Sequence, residues 1–260
     1  MRYSANTAII TFTLLVGMLW PASRVFADWA TTIAASNPLN WYRLDELAGS
    51  TATDHGSEGL HGTYGTGTKA PTRGVAGLVG TGVDFDGNED TIYLSGSDLA
   101  GDWTAEFIVR KNVAAGRSSI LIRGIPFAFP STALKFEQHE APEQVGYTQF
   151  GQVDYVFTPE VLAPLGEFLH LVYVKDAIAV RAYVNGALAG TRFDPISLSR
   201  YQLGDEFVES PFATLDEVVI YDRALMLPEI SDHYEAVPEP SSYVLALIGM
   251  GAVVAFCRRR

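Results

Sequence analysis

The sequence predicts an all-β chain, an antiparallel sandwich with one short helix near its C-terminus. Three observations carry this. Several segments alternate with a two-residue period, as side chains do along a strand. Glycine is frequent, 24 of 260 residues, and falls between those segments, where turns need it. Long helical periodicity is nearly absent, and neither a repeat nor a linker divides the middle of the chain. Many strands, Gly-rich turns and one terminal helix are the pattern of a sandwich.

Residues 1–27 read as a signal peptide. Arg2 gives a charged start, Ala8 to Trp20 is mostly apolar, Pro21 breaks the run, and Val25-Phe26-Ala27 offers small residues for a signal peptidase. Cleavage is expected after Ala27; the alternative is an uncleaved anchor. Residues 28–236 form the predicted sandwich. "DTIYLSG" gives a short strand. "HLVYVKD" sets Leu171, Tyr173 and Lys175 opposite Val172 and Val174. "AVRAYVNGALAG" is a hairpin, with Asn185-Gly186 as its tight turn. "TLDEVVIYDRAL" gives another strand, Val218 and Ile220 opposite Val219 and Tyr221. "LPEISDHYEA" is the helix: Pro228 suits its first turn and Glu229 the positive end of its dipole.

Residues 237–260 form a tail. Its apolar run, Tyr243 to Cys257, would span about 22 Å as a helix, short of the ~30 Å hydrocarbon core. Arg258, Arg259 and Arg260 would stay cytoplasmic by the positive-inside rule. Pro238, Glu239 and Pro240 precede the run, and the two prolines favour an extended, protease-readable segment. A Pro-Glu-Pro signature, a hydrophobic span and an arginine cluster, in that order, resemble the PEP-CTERM sorting tail of Gram-negative bacteria. The resemblance implies transient inner-membrane insertion through this C-terminal transmembrane sorting helix. It also implies processing by an exosortase-type enzyme and release to the cell surface or extracellular matrix. A plain membrane anchor is the alternative.

The formal charge is −12. Removing both ends takes five of 18 basic residues and one of 30 acidic ones, leaving about −16. Such a chain repels nucleic acid and anionic membrane surfaces, so neither is expected as a partner. The acidity serves solubility or the binding of a divalent cation. Residues 28–236 contain no cysteine, since Cys257 lies in the tail, so stability must come from a packed core, with or without a metal.

Four phrases resemble bacterial laminin-G-like, concanavalin A-like domains: "NWYRLDELAGSTATDHGSEGLHGTY", "GTGVDFDGNEDTIYL", "GEFLHLVYVKD" with "RAYVNGALAG", and "LDEVVIYDRALMLPEI". They span roughly Asn40 to Ala236. The resemblance implies a jelly roll of two antiparallel sheets, a binding or adhesion module often carrying calcium. It also implies that the first and last strands pair. Two departures concern loops: no Gly precedes the closing strand, and Met226 stands where the family's helix cap is usually Ser. Residues 124–157 match no family phrase.

For calcium, Asp54 in a polar turn could meet Asp216 if the first and last strands pair, with Glu217 and Asp45 as further candidates. The plainer reading is that Asp54 caps its own turn. "DFDGNED" crowds five acidic or amide residues together but lacks a calcium-loop pattern, and a tight hairpin around Gly87 explains it better. Glycoside hydrolysis needs two carboxylates roughly 5–9 Å apart. No Glu-x-Asp-x-Glu run exists, and the adjacent acids of "LDEVV" should point to opposite faces. There is no Gly-x-Ser-x-Gly elbow and no zinc-like His pair; His170 reads as packed or hairpin-bonded.

Sugar binding would use exposed aromatics. Trp41 and Trp103 belong to strands and so to the core. Phe127, Phe129, Tyr147 and Phe150 either form a binding rim or fill the second sheet's core. The expected function is therefore an exported, non-catalytic surface or matrix protein that binds extracellular polysaccharide or another surface molecule. The alternatives are a matrix constituent without a discrete ligand and a carbohydrate-active enzyme.

Overall fold

The computed structural model describes residues 28–238, apart from Ala115 and Glu140. The predicted signal peptide and the tail's apolar run lie outside the described residues. No helix among the described residues is long and apolar enough to cross a membrane.

A short helix opens the chain, α1 (Trp29–Ala35). Strands follow: β1 (Asn40–Tyr42), β2 (Thr51–Ala52), β3 (Gly62–Tyr64), β4 (Thr72–Ala76), β5 (Thr81–Asp86) and β6 (Thr91–Tyr93). Next come β7 (Trp103–Lys111), β8 (Ser119–Arg123), β9 (Thr132–Glu137), β10 (Gly146–Gln149) and β11 (Val153–Val156). The last are β12 (Phe168–Lys175), β13 (Val180–Val184), β14 (Ala187–Arg192), β15 (Gln202–Gly204) and β16 (Phe212–Tyr221), before α2 (Leu227–Ala236).

Two sheets form. The first runs β14-β13-β12-β7-β16-β5-β4, with β1 also on β16; the second runs β11-β10-β9-β8-β15-β6-β3-β2. Every pairing within these strands is antiparallel. The first and last strands do pair, Trp41 opposite Val219. Asn185 and Gly186 join β13 to β14 with positive φ of 50° and 77°, the backbone that an Asn-Gly turn allows. Gly87 also has positive φ, but the turn it makes is not a hairpin. It carries the chain from β5 in the first sheet to β6 in the second.

The sandwich has two apolar layers. Between the sheets lie Phe85, Trp103, Phe107, Leu171 and Tyr173 from the first, against Leu134, Phe136, Tyr147 and Leu203 from the second. On the outer face of the first sheet lie Trp41, Ile108, Val172, Val174, Val219 and Tyr221, covered by Trp29 and Ile33 of α1 and Ile230 of α2. That second layer explains why β12 is apolar on both sides: a strand buried on both faces has no polar phase. Helix α1 was not expected from the sequence. Asp28 caps it, accepting from the Thr31 amide at 2.8 Å, and Trp29 and Ile33 share its buried side. In α2 the Met226 cap supplies no hydroxyl. Glu229 instead accepts from the Met226 amide at 3.1 Å, which closes the helix start from the other direction.

Candidate functional site

The outer face of the second sheet carries a row set by strand register. Tyr93, Gln202, Arg123, Ala133, Thr148 and Asp154 are successive cross-strand neighbours on β6, β15, β8, β9, β10 and β11. Their opposite-phase neighbours Ile92, Leu203, Ile122 and Leu134 are in the inter-sheet core, so this row faces away from it. Arg123 donates to Asp205 at 2.7 Å, and its guanidinium lies 4.3 Å from the centre of the Phe150 ring. Lys135, one pleat along β9, sits 3.6 Å from Asp154, 3.8 Å from Glu209 and 5.6 Å from the same ring. Gln202 donates to Asp205 at 3.3 Å, which fixes its amide orientation. Its carbonyl oxygen is then buried without a partner.

Rings rise beside this floor. Phe127 and Phe129 are 76% and 65% exposed. Phe127 packs edge-on against Phe207, with centroids 5.3 Å apart. Phe129 lies over Gly151, where an added Cβ would stand 3.0 Å from the ring. Of the four rings considered for sugar binding, Phe127 and Phe129 are exposed and Phe150 is half-buried over the cationic floor. Tyr147 is a correction. It is fully buried in the inter-sheet core, stacked on Tyr155 at 4.9 Å, and donates to the Asp194 carbonyl at 2.7 Å. Strand alternation decides this, since Tyr147 pairs with the inward Leu134.

The outer face of the first sheet holds the acids considered for calcium. Leu215 pairs with Val109 and Glu217 with Ile108, so Asp216 is an extra residue, a bulge. Leu215 and Val218 both face the inter-sheet core, which leaves Asp216 and Glu217 together on the outer side. The expectation of opposite faces fails because the bulge breaks the two-residue period. Asp216 accepts from the Leu78 and Val79 amides at 2.6 and 2.5 Å, and its other oxygen is unpartnered. Glu217 accepts from the Trp41 indole at 2.6 Å; its second oxygen is also unpartnered, 3.8 Å from Arg43. Burial pushes Asp216 up to about 7 and Glu217 up to about 8, against the partial relief of those N–H donors.

Asp54 is elsewhere. It bridges to Tyr42, whose ring is in the inter-sheet core, so it faces inward. One oxygen accepts from the Trp41 and Gly56 amides at 2.7 and 2.8 Å; the other accepts from the Asn40 side chain and the Leu60 amide, both at 2.8 Å. The fold thus does not bring Asp54 and Asp216 together, and four N–H donors occupy Asp54. Among the described residues no group of three His, Cys, Asp or Glu side chains is arranged to hold a metal.

The same outer face contains a buried latch. Glu106 on β7 meets His170 of β12 at 2.7 Å and His233 of α2 at 3.0 Å, and His233 reaches Ser36, just beyond α1, at 2.7 Å. Trp29 packs edge-on against both imidazoles. Burial alone would raise the Glu106 carboxyl, but the two imidazoles more than offset it and hold it at about 2. Burial would lower His233; Glu106 reverses this and raises it. His170 is packed and hairpin-bonded as expected, its amide donating to Asn185 at 3.1 Å.

A family model described as the concanavalin A-like lectin/glucanases superfamily matches residues 86–231, more than half of the chain. The chain belongs to this superfamily. A second model, the PEP-CTERM protein-sorting motif, matches residues 236–260 and marks the chain for export and sorting to the cell envelope. Of its signature residues Pro238 is the last described; Glu239, Pro240 and Arg258 to Arg260 lie outside the described residues. No curated protein sequence matches significantly.

Solved structures that share this superfamily member's fold include domain 4 of AbnA, a GH43 extracellular arabinanase from Geobacillus stearothermophilus, in complex with arabinotriose. Its TM-score is 0.58 at 19% identity, over 76% of this chain and 98% of that one. Trypanosoma rangeli sialidase in complex with the inhibitor DANA gives 0.55 at 14%, over 76% of this chain and 32% of that one. The binding domain of botulinum neurotoxin serotype D gives 0.57 at 11%, over 78% and 52%. The chain spans about a third of the sialidase chains it matches, and at these identities the likeness is one of fold.

Sequence reasoning did not find Arg123, Lys135, Gln202, Asp205, Phe207 or Glu209. Alternation in "TALKFE" marks Lys135 as off-phase from Leu134 and Phe136, but "SILIR" is an unbroken apolar run before Arg123, with irregular pairing at Leu121, so it does not mark Arg123. Neither segment says that the two share a face with the loop residues Asp205 to Glu209.

Proposed function

We propose that this superfamily member is an exported, non-catalytic glycan-binding protein of the cell surface or extracellular matrix, with the outer face of the second sheet as its binding face. The observation that carries this is the exposed ring set Phe127, Phe129 and Phe207 beside the half-buried carboxylates Asp154 and Glu209, which the buried Lys135 holds; Lys135 and the buried Arg123 lie beneath Phe150. Flat apolar rings next to dense, planar hydrogen-bonding groups suit a sugar, which has an apolar ring face and a polar edge. The arabinotriose named for the arabinanase domain supports the reading, since that domain matches over nearly its whole length. Asp154 and Glu209 face one shared ammonium. Before release, the tail would hold the protein at the inner membrane until an exosortase-type enzyme removes it.

Calcium belongs to the proposal at the β16 bulge. The free oxygens of Asp216 and Glu217 would supply two ligands, and backbone carbonyls and water the rest. A glycan array probed with the purified chain tests the binding role. Saccharide binding that disappears in the Phe127→Ala/Phe129→Ala variant is the expected result. An array without signal would favour a structural matrix constituent.

A further inference from the structure

We propose that the binding face takes an uncharged glycan through its hydroxyl groups and rejects uronate- and sulfate-bearing polymers. This rests on the glycan-binding reading above. Two independent observations support it.

The first is charge. Three cations that reach this face already meet carboxylates: Arg123 meets Asp205 at 2.7 Å, Lys69 meets Glu206 at 2.8 Å, and Lys135 lies between Asp154 and Glu209. Four acids therefore surround three bases. Arg117, at the rim, donates to the Val208 carbonyl and lies 5.0 Å over the Phe212 ring. An anionic sugar would have to displace an internal acid to reach Arg123 or Lys135. It would also approach a body carrying about −16 between the signal peptide and the tail.

The second is hydrogen-bond sense. The polar groups open to solvent at the edge, Asp154 and Glu209, are carboxylates and so acceptors, whereas the unpartnered Gln202 carbonyl oxygen and the unpartnered amide nitrogen of Gln138, behind Thr148, are both buried. Carboxylate and sulfate bring acceptors only. A hydroxyl can donate, so it satisfies Asp154 and Glu209, directly or through a held water, where a further acceptor would be repelled.

The test uses the purified full-length chain in mild detergent. Arabinan, laminarin and galactomannan serve as neutral probes, and polygalacturonate and alginate as acidic ones. Each is titrated at low salt and at ~0.15 M. Binding of a neutral polymer, unchanged by salt, with no binding of the acidic pair, is expected. Acidic polymers bound with an affinity that falls as salt rises would overturn this inference while leaving the glycan-binding role intact. Binding of no polymer would overturn the role itself. The Asp154→Asn/Glu209→Gln variant frees Lys135 and should gain affinity for polygalacturonate of roughly tenfold. Asp154→Asn alone serves if the double variant melts early. A folded variant still indifferent to polygalacturonate would show that charge pairing is not the cause.

Discussion

Glu106→Gln would disable the latch that pins α1 and α2 to the first sheet. The side chain is fully buried and meets His170 and His233, so the change removes a charge but little volume. A Glu106 carboxyl held at about 2 rather than 4.5 corresponds to about 3 kcal/mol of stability at neutral pH. Breaking a buried ion pair from one side costs a similar amount, about 3–5 kcal/mol. The pH dependence has two limbs. Glu106 is depressed, so its contribution is present above about 4.5 and is lost as pH falls toward 2. His233 is raised, so its contribution is complete below about 6.5 and is lost as pH rises through its folded value. Stability from the latch should therefore peak between about pH 4.5 and 6.5. Urea unfolding followed by tryptophan fluorescence, from about pH 3 to pH 9, measures this directly. Near pH 6 the variant should lie about 3 kcal/mol below the parent, and its pH profile should be flatter. A difference under about 0.5 kcal/mol, or two parallel profiles, would refute the reasoning.

Four further outcomes follow from named contacts. Asp54→Ala orphans four N–H donors and should cost about 3 kcal/mol in urea unfolding, with glycan binding unchanged in whatever folds. Tyr147→Phe removes one buried hydroxyl bond and should cost about 1 kcal/mol without affecting glycan affinity; lost affinity would return Tyr147 to the binding face. Phe127→Ala/Phe129→Ala should leave the melting temperature within about 1–2 °C while weakening glycan binding about tenfold, as expected of exposed rings. A chelator should lower the melting temperature and added calcium restore it, and Asp216→Asn should abolish the response; an unchanged melting curve would remove calcium from the bulge.

Several elements were legible because a local rule governed them. The Asn185-Gly186 turn, the α2 start at Pro228 and the β16 alternation from Val218 to Tyr221 each follow from turn chemistry or period. The failures share a cause: a local signal overridden by tertiary context. The bulge at Asp216 shifts the phase of β16 by one residue, and nothing in "TLDEVV" announces it. Gly87 turns the chain between sheets rather than within one, which its φ does not reveal. Among the aromatic residues of 124–157, only strand pairing separates Tyr147, inward opposite Leu134, from the loop rings Phe127 and Phe129. The site floor was unreadable because β8 and β9 lie far along the chain from β15 and the loop after it, and the two parts meet only in the second sheet.

Chemical-shift mapping with a saccharide recovered from the array tests the binding face most directly. Perturbations should concentrate on the amides and side chains of Arg123, Phe127, Phe129, Lys135, Phe150 and Phe207. Perturbations gathered instead around Trp41, Asp216 and α2, across the sandwich, would contradict the assignment of the second sheet's outer face.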